Sequence, residues 1–492
     1  MHQPRRVFQW NRCVFTLLVT FFALSYLFYI ATHSGLSWSM QGEKSASTSG
    51  LRYYSPKYTL DAPTVTVTIS VPKPTTIAPL LVKEIPTASF RDNLRPELKY
   101  ITAWPAHGWN NQVIEIMNLL YLSIITERVP ILPTFSDYSN VHVPDTEHVH
   151  FGEVFDIPRL QKGIKKSVLE WRQVKDPKND SWDSEGLGCW NLVDSGWPPQ
   201  PHIPNLKLDV SYATLPSSMK SRPSDDADHW TTFWSLASLG FADTRPTDVT
   251  STVGEHLLCF DNVFYVSARG GWEIEYSYSP AWRFIGRHMH WTSKIQDIAN
   301  EYVCGALGIG PEESIPLYIA VHVRRGDFKE LCKDKPQTDC LPTLSAYASK
   351  VEELKEEMIS TKGITVEHVV MTSDEQDPAW QAAALELGWS KLDHSETVEK
   401  YGKWYPIFID GVVLSGGAGF VGTTMSTASF LAAKRVVARG GIAKSVDWGN
   451  RLGHYSICTV LPSDLTHLYP EKNVELGKSF LQICNFTKTS KS

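Results

Sequence analysis

From Lys99 onward, the apolar residues form two kinds of pattern: continuous runs typical of buried strands and 3.6-residue periods typical of helices. The segment KYITAW leads into the loop PAHGWNNQ, a helical apolar period follows, and the short apolar run VPILP comes next. A strand, a helix and a second strand in this order form a βαβ unit. The pattern therefore predicts the start of a parallel sheet.

A second alternating unit begins near Pro316. LYIAVHV is a nearly continuous apolar run, as expected of a strand buried inside a parallel sheet, and HVVMTSD predicts another strand. AWQAAALELG predicts a helix that ends at glycine, and the segments DGVVLSGGAGFVGTT and STASFLAAKRV predict a helix, a short strand, a turn and a helix. Two successive α/β units predict an open two-domain enzyme with a cleft between the domains.

An uncharged, apolar segment lies near the N-terminus, and residues 13–32 are together long enough to cross a bilayer. No small-residue cleavage site follows it, which favours a retained signal-anchor over a signal peptide. Three arginines precede the segment, so the positive-inside rule keeps residues 1–12 in the cytoplasm and sends the remainder into the lumen. The sequence predicts a single-pass type II membrane protein.

The remainder of the chain divides by composition. Residues 33–95 are rich in Ser, Thr and Pro and bury little apolar surface, which predicts a disordered stem and favours the Golgi over the endoplasmic reticulum. Residues 96–310 are predicted to form an N-terminal α/β domain with a loop-rich insertion at about 182–251, and residues 311–492 a C-terminal one.

Seven of the eight cysteines follow the predicted span, and none forms a C-x-x-C pair, which argues against a zinc ribbon or a thioredoxin-type site. Disulfides are expected in an oxidising lumen. Cys332 and Cys340, and also Cys458 and Cys484, are close enough in sequence to pair. The odd number leaves at least one thiol outside any intrachain disulfide.

Net charge bears on the partner, and two glycosylation triplets fit the lumenal compartment. The net charge of -6 gives no reason to expect a nucleic acid partner. Asn179 and Asn485 begin N-glycosylation triplets.

The segment HVRRGDF, residues 322–328, follows the apolar strand, at the end where ligands bind in open α/β sheets. Strand side chains alternate, so His322 and Arg324 are predicted to share one face. The planar fork of Arg324 suits phosphate oxygens. The structural alternative for the same segment is an ion pair between Arg325 and Asp327 that closes the turn.

The tripeptide Arg325-Gly326-Asp327 also occurs in adhesive loops, which suggests an adhesion or binding protein as a competing function. Adhesive loops need an exposed tip. Here an apolar strand leads directly into the tripeptide, which favours the enzyme.

Three segments resemble the GDP-fucose protein O-fucosyltransferase family. Residues 322–328 resemble its H-x-R-x-x-D-F signature, residues 108–112 its early Gly-Asn-Gln loop, and residues 420–430 its late F-[IV]-G-T-x-x-S-T-F-S-F stretch. Asp410 is also spaced from the third segment as in the family. Because α1,2- and α1,6-fucosyltransferases have a similar HxRRxD stretch, that motif indicates fucose better than it indicates the acceptor.

The resemblance implies an α/β fold of the GT-B type: two Rossmann-like domains facing a cleft, with GDP-fucose held mainly by the second. Arg324 would bind the β-phosphate and neutralise the leaving group, and His322 would contact the donor from the same face. Ser426 and Thr427 would donate to phosphate from a helix N-terminus, although both are also ordinary helix-capping residues.

Three further residues are candidate contacts of the donor. Asp374 and Asp410 are candidates for reading the guanine edge, and either one could instead cap a helix. Asn111 would contact the donor, and its alternative is a simple turn residue.

The sequence departs from the family at two positions. Ala428 replaces a frequent Phe, so packing against the donor must differ there. His107 stands where some members carry a glutamate proposed as the catalytic base. A histidine can take a proton near neutral pH, so His107 is the candidate base, with a solvated loop residue as the alternative.

No metal or other cofactor is expected beyond the donor substrate, because Arg324 supplies the charge that a divalent ion would supply. Asp226-Ala227-Asp228 fits the Asp-x-Asp pattern of metal-dependent glycosyltransferases, but its Pro- and Ser-rich surroundings indicate a solvated loop.

The resulting hypothesis is an inverting, metal-independent fucosyltransferase that moves L-fucose from GDP-fucose to an acceptor hydroxyl. The expected acceptor is a Ser or Thr of a secretory-pathway protein. The alternatives are a glycan α1,2- or α1,6-fucosyltransferase and a catalytically weak fucosyltransferase-like binding protein.

Overall fold

The computed structural model describes residues 81–447 except 137–147, 177, 179–181, 184–185, 193–201, 217–218, 222–229, 242–252, 269–272, 274–277, 311–312, 333–335 and 337–339. Outside the described residues lie the predicted tail and membrane span, most of the stem, Asn179, Asn485, the Asp226–Asp228 segment, Cys458 and Cys484. Among the helices that are described, none is both long and apolar enough to cross a bilayer.

The described strands are β1 (Tyr100–Ala103), β2 (Val129–Leu132), β3 (Leu169–Glu170), β4 (Leu187–Asn191), β5 (Val210–Thr214), β6 (Lys220–Ser221), β7 (Trp230–Thr232), β8 (Leu257–Phe260), β9 (Val266–Ser267), β10 (Tyr318–Val323), β11 (His368–Ser373), β12 (Ser390–Lys391), β13 (Gly419–Thr423) and β14 (Ile442–Val446). Six of them form a sheet in the order β3-β2-β1-β8-β4-β5. Five more form a second sheet in the order β12-β11-β10-β13-β14, and β6, β7 and β9 form a small third one. All pairings in the two large sheets are parallel.

The described α-helices are α1 (Phe90–Asn93), α2 (Trp109–Ile125), α3 (Phe151–Val154), α4 (Ile157–Ile164), α5 (Trp171–Val174), α6 (His202–Leu206), α7 (Phe233–Ser238), α8 (Pro280–Phe284), α9 (Ser293–Leu307), α10 (Leu344–Lys362), α11 (Pro378–Glu386), α12 (Thr397–Tyr401), α13 (Tyr405–Gly416) and α14 (Thr427–Ala438). Two short 3₁₀ helices cover Gly286–His288 and Asp327–Cys332. Parallel strands joined by such helices are the α/β architecture that the apolar pattern predicts.

The second sheet is buried on both faces, as the run LYIAVHV predicts. All six residues of β10 are buried, and alternate side chains enter different apolar clusters. Ile319 and Val321 pack with Leu354 of α10, whereas Ala320 lies in the cluster that contains Val412 of α13. Helices on both sides of a parallel sheet explain why neither face of this strand is exposed to solvent.

Two predicted boundaries are wrong. The predicted stem, residues 33–95, extends too far, because α1 lies within it and Phe90 and Leu94 are fully buried against the first sheet. The predicted insertion at 182–251 contributes β4 and β5 to that same sheet. Each strand has only five residues and lies beside polar and Pro-rich sequence, so the pattern of apolar residues does not indicate either one.

Two disulfides are present among the described cysteines. Cys332–Cys340 confirms the pairing expected from sequence proximity. Cys189–Cys259 joins two strands of the first sheet and could not be chosen from spacing, because 70 residues separate its cysteines. Cys304 is a free thiol.

Candidate active site

The candidate site lies where three strands of the second sheet end together. Val323 of β10 pairs with Ser373 of β11, and Val321 pairs with Val421 of β13. Because the three strands are parallel, the loops that follow them meet at one edge of the sheet. This edge carries the HVRRGDF segment, the end of the VVMTSD strand and the turn before α14.

A cleft of about 560 Å³ opens between this edge, α13 and the N-terminal end of α2. All eight residues predicted from sequence as site residues line it: His107, Asn111, His322, Arg324, Asp374, Asp410, Ser426 and Thr427. The loops that carry them are far apart in sequence, so the fold brings the three motif segments into one cavity.

Arg324 is held between two carboxylates at the edge of the cleft. One terminal nitrogen of its guanidinium lies 2.6 Å from Oδ2 of Asp327, and the other lies 3.2 Å from Oδ2 of Asp374. The Arg324 side chain remains 28% exposed. The predicted ion pair of Asp327 with Arg325 is therefore wrong, since Asp327 pairs with Arg324. The two acidic groups fix the guanidinium before any anion binds.

Asp374 also closes the turn after β10. Its Oδ1 accepts hydrogen bonds from the backbone N–H groups of Arg325 and Gly326, at 2.8 and 2.9 Å. A Cβ on Gly326 would lie 2.8 Å from Oδ2 of Asp374, so the turn requires glycine there. The structure thus gives Asp374 a positioning role, and its reading of a guanine edge stays a prediction.

Arg325 points away from the cleft into a charged cluster. Its Nε donates to Oε2 of Glu375 at 2.8 Å, and Nζ of Lys329 donates to Oε1 of the same carboxylate at 2.7 Å. Burial alone would raise the pKa of Glu375, but the hydrogen bonds from these two cations lower it to about 2. Arg325 is only 15% exposed, so the Arg-Gly-Asp tripeptide is not a free loop tip and the adhesive interpretation loses its basis.

His322 is buried and connects β10 to α14. Its Nδ1 lies 2.8 Å from Oγ of Ser429, which also accepts the backbone N–H of Thr423 at 3.0 Å. A Cβ on Gly422 would lie 2.7 Å from Cβ of Ser429, so this close approach of helix and strand needs glycine. Burial, with the nearby Arg324, lowers the pKa of His322 to about 4, and the ring is therefore neutral near pH 7.

The N-terminus of α14 faces the cleft. Ser426 occupies the N-cap position, yet its side chain makes no capping hydrogen bond. The preceding Met425 has φ 66°, which turns the chain sharply into the helix. The simple capping interpretation of Ser426 is therefore wrong. Its hydroxyl, and Thr427 at the first helical position, lie at an end where backbone N–H groups attract anions.

The N-terminal end of α2 forms the opposite wall. Nε2 of Gln112 donates to the carbonyl of His107 at 2.9 Å and to that of Ser136 at 2.7 Å, which holds the loop before the helix. His107 adopts the left-handed conformation, with φ 69°. Asn111 belongs to the first turn of α2 and lines the cleft, so it is more than a turn residue.

Asp410 lies on the face of α13 that lines the cleft. Its Oδ1 is 3.0 Å from Nε2 of His394, whose Nδ1 is 3.0 Å from the hydroxyl of Thr397. Asp410 is a helix-interior residue, so the cap alternative is wrong, and its contact with the guanine base stays a prediction.

Three charged residues near the site were missed from sequence. Arg435 lines the cleft and stacks 4.6 Å from the ring of Trp291, and burial lowers its pKa to about 9. Ala428 and Ala432 line the same wall of the cleft, and Arg435 follows them at helical spacing along α14. That spacing is a signal in the sequence that Arg435 faces the cleft.

Glu115 is an acidic residue within the apolar period of α2, and this position is its signal in the sequence. Glu375 gives no local signal, since its partners Arg325 and Lys329 precede it by more than 40 residues.

Within the described part of the chain, no group of three or more His, Cys, Asp or Glu side chains is arranged to hold a metal ion.

The family model described as GDP-fucose protein O-fucosyltransferase matches residues 100–437. The chain belongs to this family. It is accordingly a GDP-fucose-dependent glycosyltransferase, which confirms the enzyme class expected from its three motif segments. The match spans the first large sheet, all of the second except β14, and every residue that lines the cleft.

Solved fucosyltransferases are similar to the chain at low identity. POFUT1 in complex with GDP-fucose is 16% identical, with a TM-score of 0.46 over 71% of this chain and 98% of that one. The fucosyltransferase NodZ from Bradyrhizobium is 15% identical, with a TM-score of 0.37 over 68% of this chain and 92% of that one. No curated protein matches the sequence. The family assignment therefore rests on the family match.

Proposed function

We propose that this O-fucosyltransferase family member moves L-fucose from GDP-fucose to a Ser or Thr hydroxyl of a secretory-pathway protein, with inversion and without a metal ion. We further propose a GT-B arrangement, in which each large parallel sheet is the centre of one Rossmann-like domain. The observation that carries the proposal is Arg324, held at the end of a buried strand inside the cleft that Asn111 and Ser426 also line.

Negative charge grows on the β-phosphate of GDP as the bond to fucose breaks. A guanidinium already fixed by Asp327 and Asp374 can meet that charge without reorganising. The N-terminus of α14 adds backbone N–H groups and the uncapped hydroxyl of Ser426 at the same wall. The neutral ring of His322 can donate or accept a hydrogen bond at the same wall, and it adds no charge.

The cleft contains three permanent cations to meet a diphosphate: Arg324, Lys403 and Arg435. Arg435 has no carboxylate within ion-pair distance among the described residues, so its charge is not offset as that of Arg324 is. These cations support the proposal that the protein provides the charge that a divalent ion provides in Asp-x-Asp enzymes.

Incubation of the purified protein with GDP-fucose and secretory-pathway peptides should give peptides that carry one fucose on Ser or Thr, with turnover unchanged by EDTA. Mass spectrometry locates the sugar, and NMR of the product should show the anomeric configuration opposite to that of the donor. Fucose on glycans alone would establish the glycan alternative, and donor binding without turnover the weak-enzyme alternative. Loss of activity in EDTA, restored by a divalent ion, would contradict metal independence.

We also propose that residues 13–32 anchor the chain as a type II protein of the Golgi. The uncharged apolar run, with arginines before it and a Pro-rich segment after it, supports this topology. Protection of the C-terminal part from protease in sealed Golgi vesicles tests it, and cleavage without detergent would refute it.

A further inference from the structure

Glu115 is a buried acid beside the cleft. It has no role in the phosphate binding described above. It lies in the second turn of α2 and is 1% exposed. Its Oε1 accepts the backbone N–H of Ala106 at 3.0 Å. Burial raises the pKa of this carboxyl. A glutamine could accept the same N–H without the cost of burying an acid, so the contact with Ala106 does not require a carboxylate.

The partner of Glu115 is the imidazole of His107. Nδ1 of His107 lies 3.6 Å from Oε1 of Glu115, and the His107 side chain is 17% exposed. Nδ1 is itself inaccessible to solvent, which leaves Nε2 as the ring nitrogen that can meet a substrate in the cleft.

The position of His107 is fixed from several sides. Gln112 holds its carbonyl, and its backbone has the left-handed conformation. The ring packs against Phe264 and Tyr265, with centroids 5.7 and 6.4 Å apart. Strained backbone held in this way is common at active sites. Two other histidines lie near the cleft. His322 lines it, but its Nδ1 is engaged with Ser429, whereas His394 has both ring nitrogens within hydrogen-bond distance of Asp410 and Thr397 and does not line the cleft.

We propose that Glu115 and His107 form a dyad that activates the acceptor hydroxyl. Glu115 is the positioning residue: its carboxylate accepts a hydrogen bond from Nδ1–H of His107 and thereby fixes the tautomer with a basic Nε2. His107 is the catalytic residue. The proposal rests on the proposed function, because it requires an acceptor that attacks fucose from the side opposite GDP.

The step balances as follows. The acceptor oxygen forms a bond to C1 of fucose, while the bond from C1 to the β-phosphate oxygen breaks and its electron pair leaves with GDP. The acceptor proton passes to Nε2 of His107, and the resulting imidazolium is stabilised by Glu115. The distance between Nδ1 and Oε1 must shorten to about 2.8 Å, a tightening that is common when substrate binds.

Glu115→Gln keeps the size of the side chain and an acceptor for Ala106, and it removes the carboxylate. We expect kcat for transfer to fall about 100-fold, with KM for GDP-fucose and the melting temperature unchanged. Glu127→Gln, the same exchange at an exposed position just after α2, is the control and should have no effect. Glu115→Asp keeps the acid at a longer distance and should restore part of the lost activity.

His107→Asn provides the second arm, because asparagine tolerates the left-handed backbone. It should lose as much activity as Glu115→Gln, and the double variant should lose no more than either one. Independent, multiplicative losses, or full activity of Glu115→Gln, would overturn the dyad while leaving the proposed function intact. If the wild-type protein binds GDP-fucose but transfers nothing to any acceptor, the proposed function fails and the dyad fails with it.

Discussion

Fucose transfer should fall about 10²- to 10³-fold when Arg324 is replaced by alanine, because the leaving diphosphate loses the guanidinium that faces it from the sheet edge. Asp327 and Asp374 hold that guanidinium in place in the free protein. Without it, their two negative charges remain beside the phosphate site and repel the donor. The loss should therefore appear in both kcat and KM for GDP-fucose, measured as GDP release and as labelled product.

The fold should tolerate this change. Oδ1 of Asp374 still accepts the N–H groups of Arg325 and Gly326, so the turn after β10 remains closed. Arg324→Lys keeps the charge and loses the planar fork, and it should recover only part of the activity.

Ser426→Ala should raise KM for GDP-fucose about tenfold. Stability should not fall, because the Ser426 hydroxyl makes no capping hydrogen bond. Lys350→Ala, on the exposed face of α10, is the inert control. Equal turnover of Arg324→Ala and wild type would refute the mechanism.

The elements around the cleft could be predicted because each carries a local signal. The apolar run that becomes β10 and the VVMTSD run that becomes β11 are buried strands, and both were recognisable from composition alone. The end of a parallel strand is also where ligands bind, so His322 and Arg324 could be placed at a site before their neighbours were known. The resemblance of residues 108–112 and 420–430 to the O-fucosyltransferase family then indicated Asn111 and Ser426.

The partners of these residues could not be predicted, because they depend on how distant segments meet. Whether Asp327 pairs with Arg324 or with Arg325 depends on which arginine faces the cleft and which one reaches Glu375. Likewise, Glu115 becomes a candidate partner of His107 only when the loop folds back over the first turns of α2. β4 and β5 were missed for the same reason, since β4 pairs with the distant β8 and β5 pairs with β4, which no local pattern shows.

Replacement of Glu375 by glutamine should lower the free energy of unfolding by about 3 kcal/mol at pH 7, since a pKa lowered from 4.5 to about 2 corresponds to that amount. The carboxylate is 1% exposed and compensates two cations, Arg325 and Lys329. Glutamine leaves the half-buried guanidinium of Arg325 without a counter-charge. Removal of one partner of a buried ion pair destabilises a fold more than replacement of both partners.

The pH dependence separates this ionic effect from a simple packing defect. Glu375 has a pKa that is lower in the folded than in the unfolded protein, so its stabilisation is complete above pH 4.5 and is lost as the pH falls toward 2. The difference in unfolding free energy between wild type and Glu375→Gln should shrink over that range in urea titrations. Glu353→Gln, in an exposed pair with Lys350, should change stability by no more than about 0.5 kcal/mol. A constant difference in unfolding free energy across this pH range would show that Glu375 stabilises the fold through packing. The turn that presents Arg324 would then have to be held by another contact.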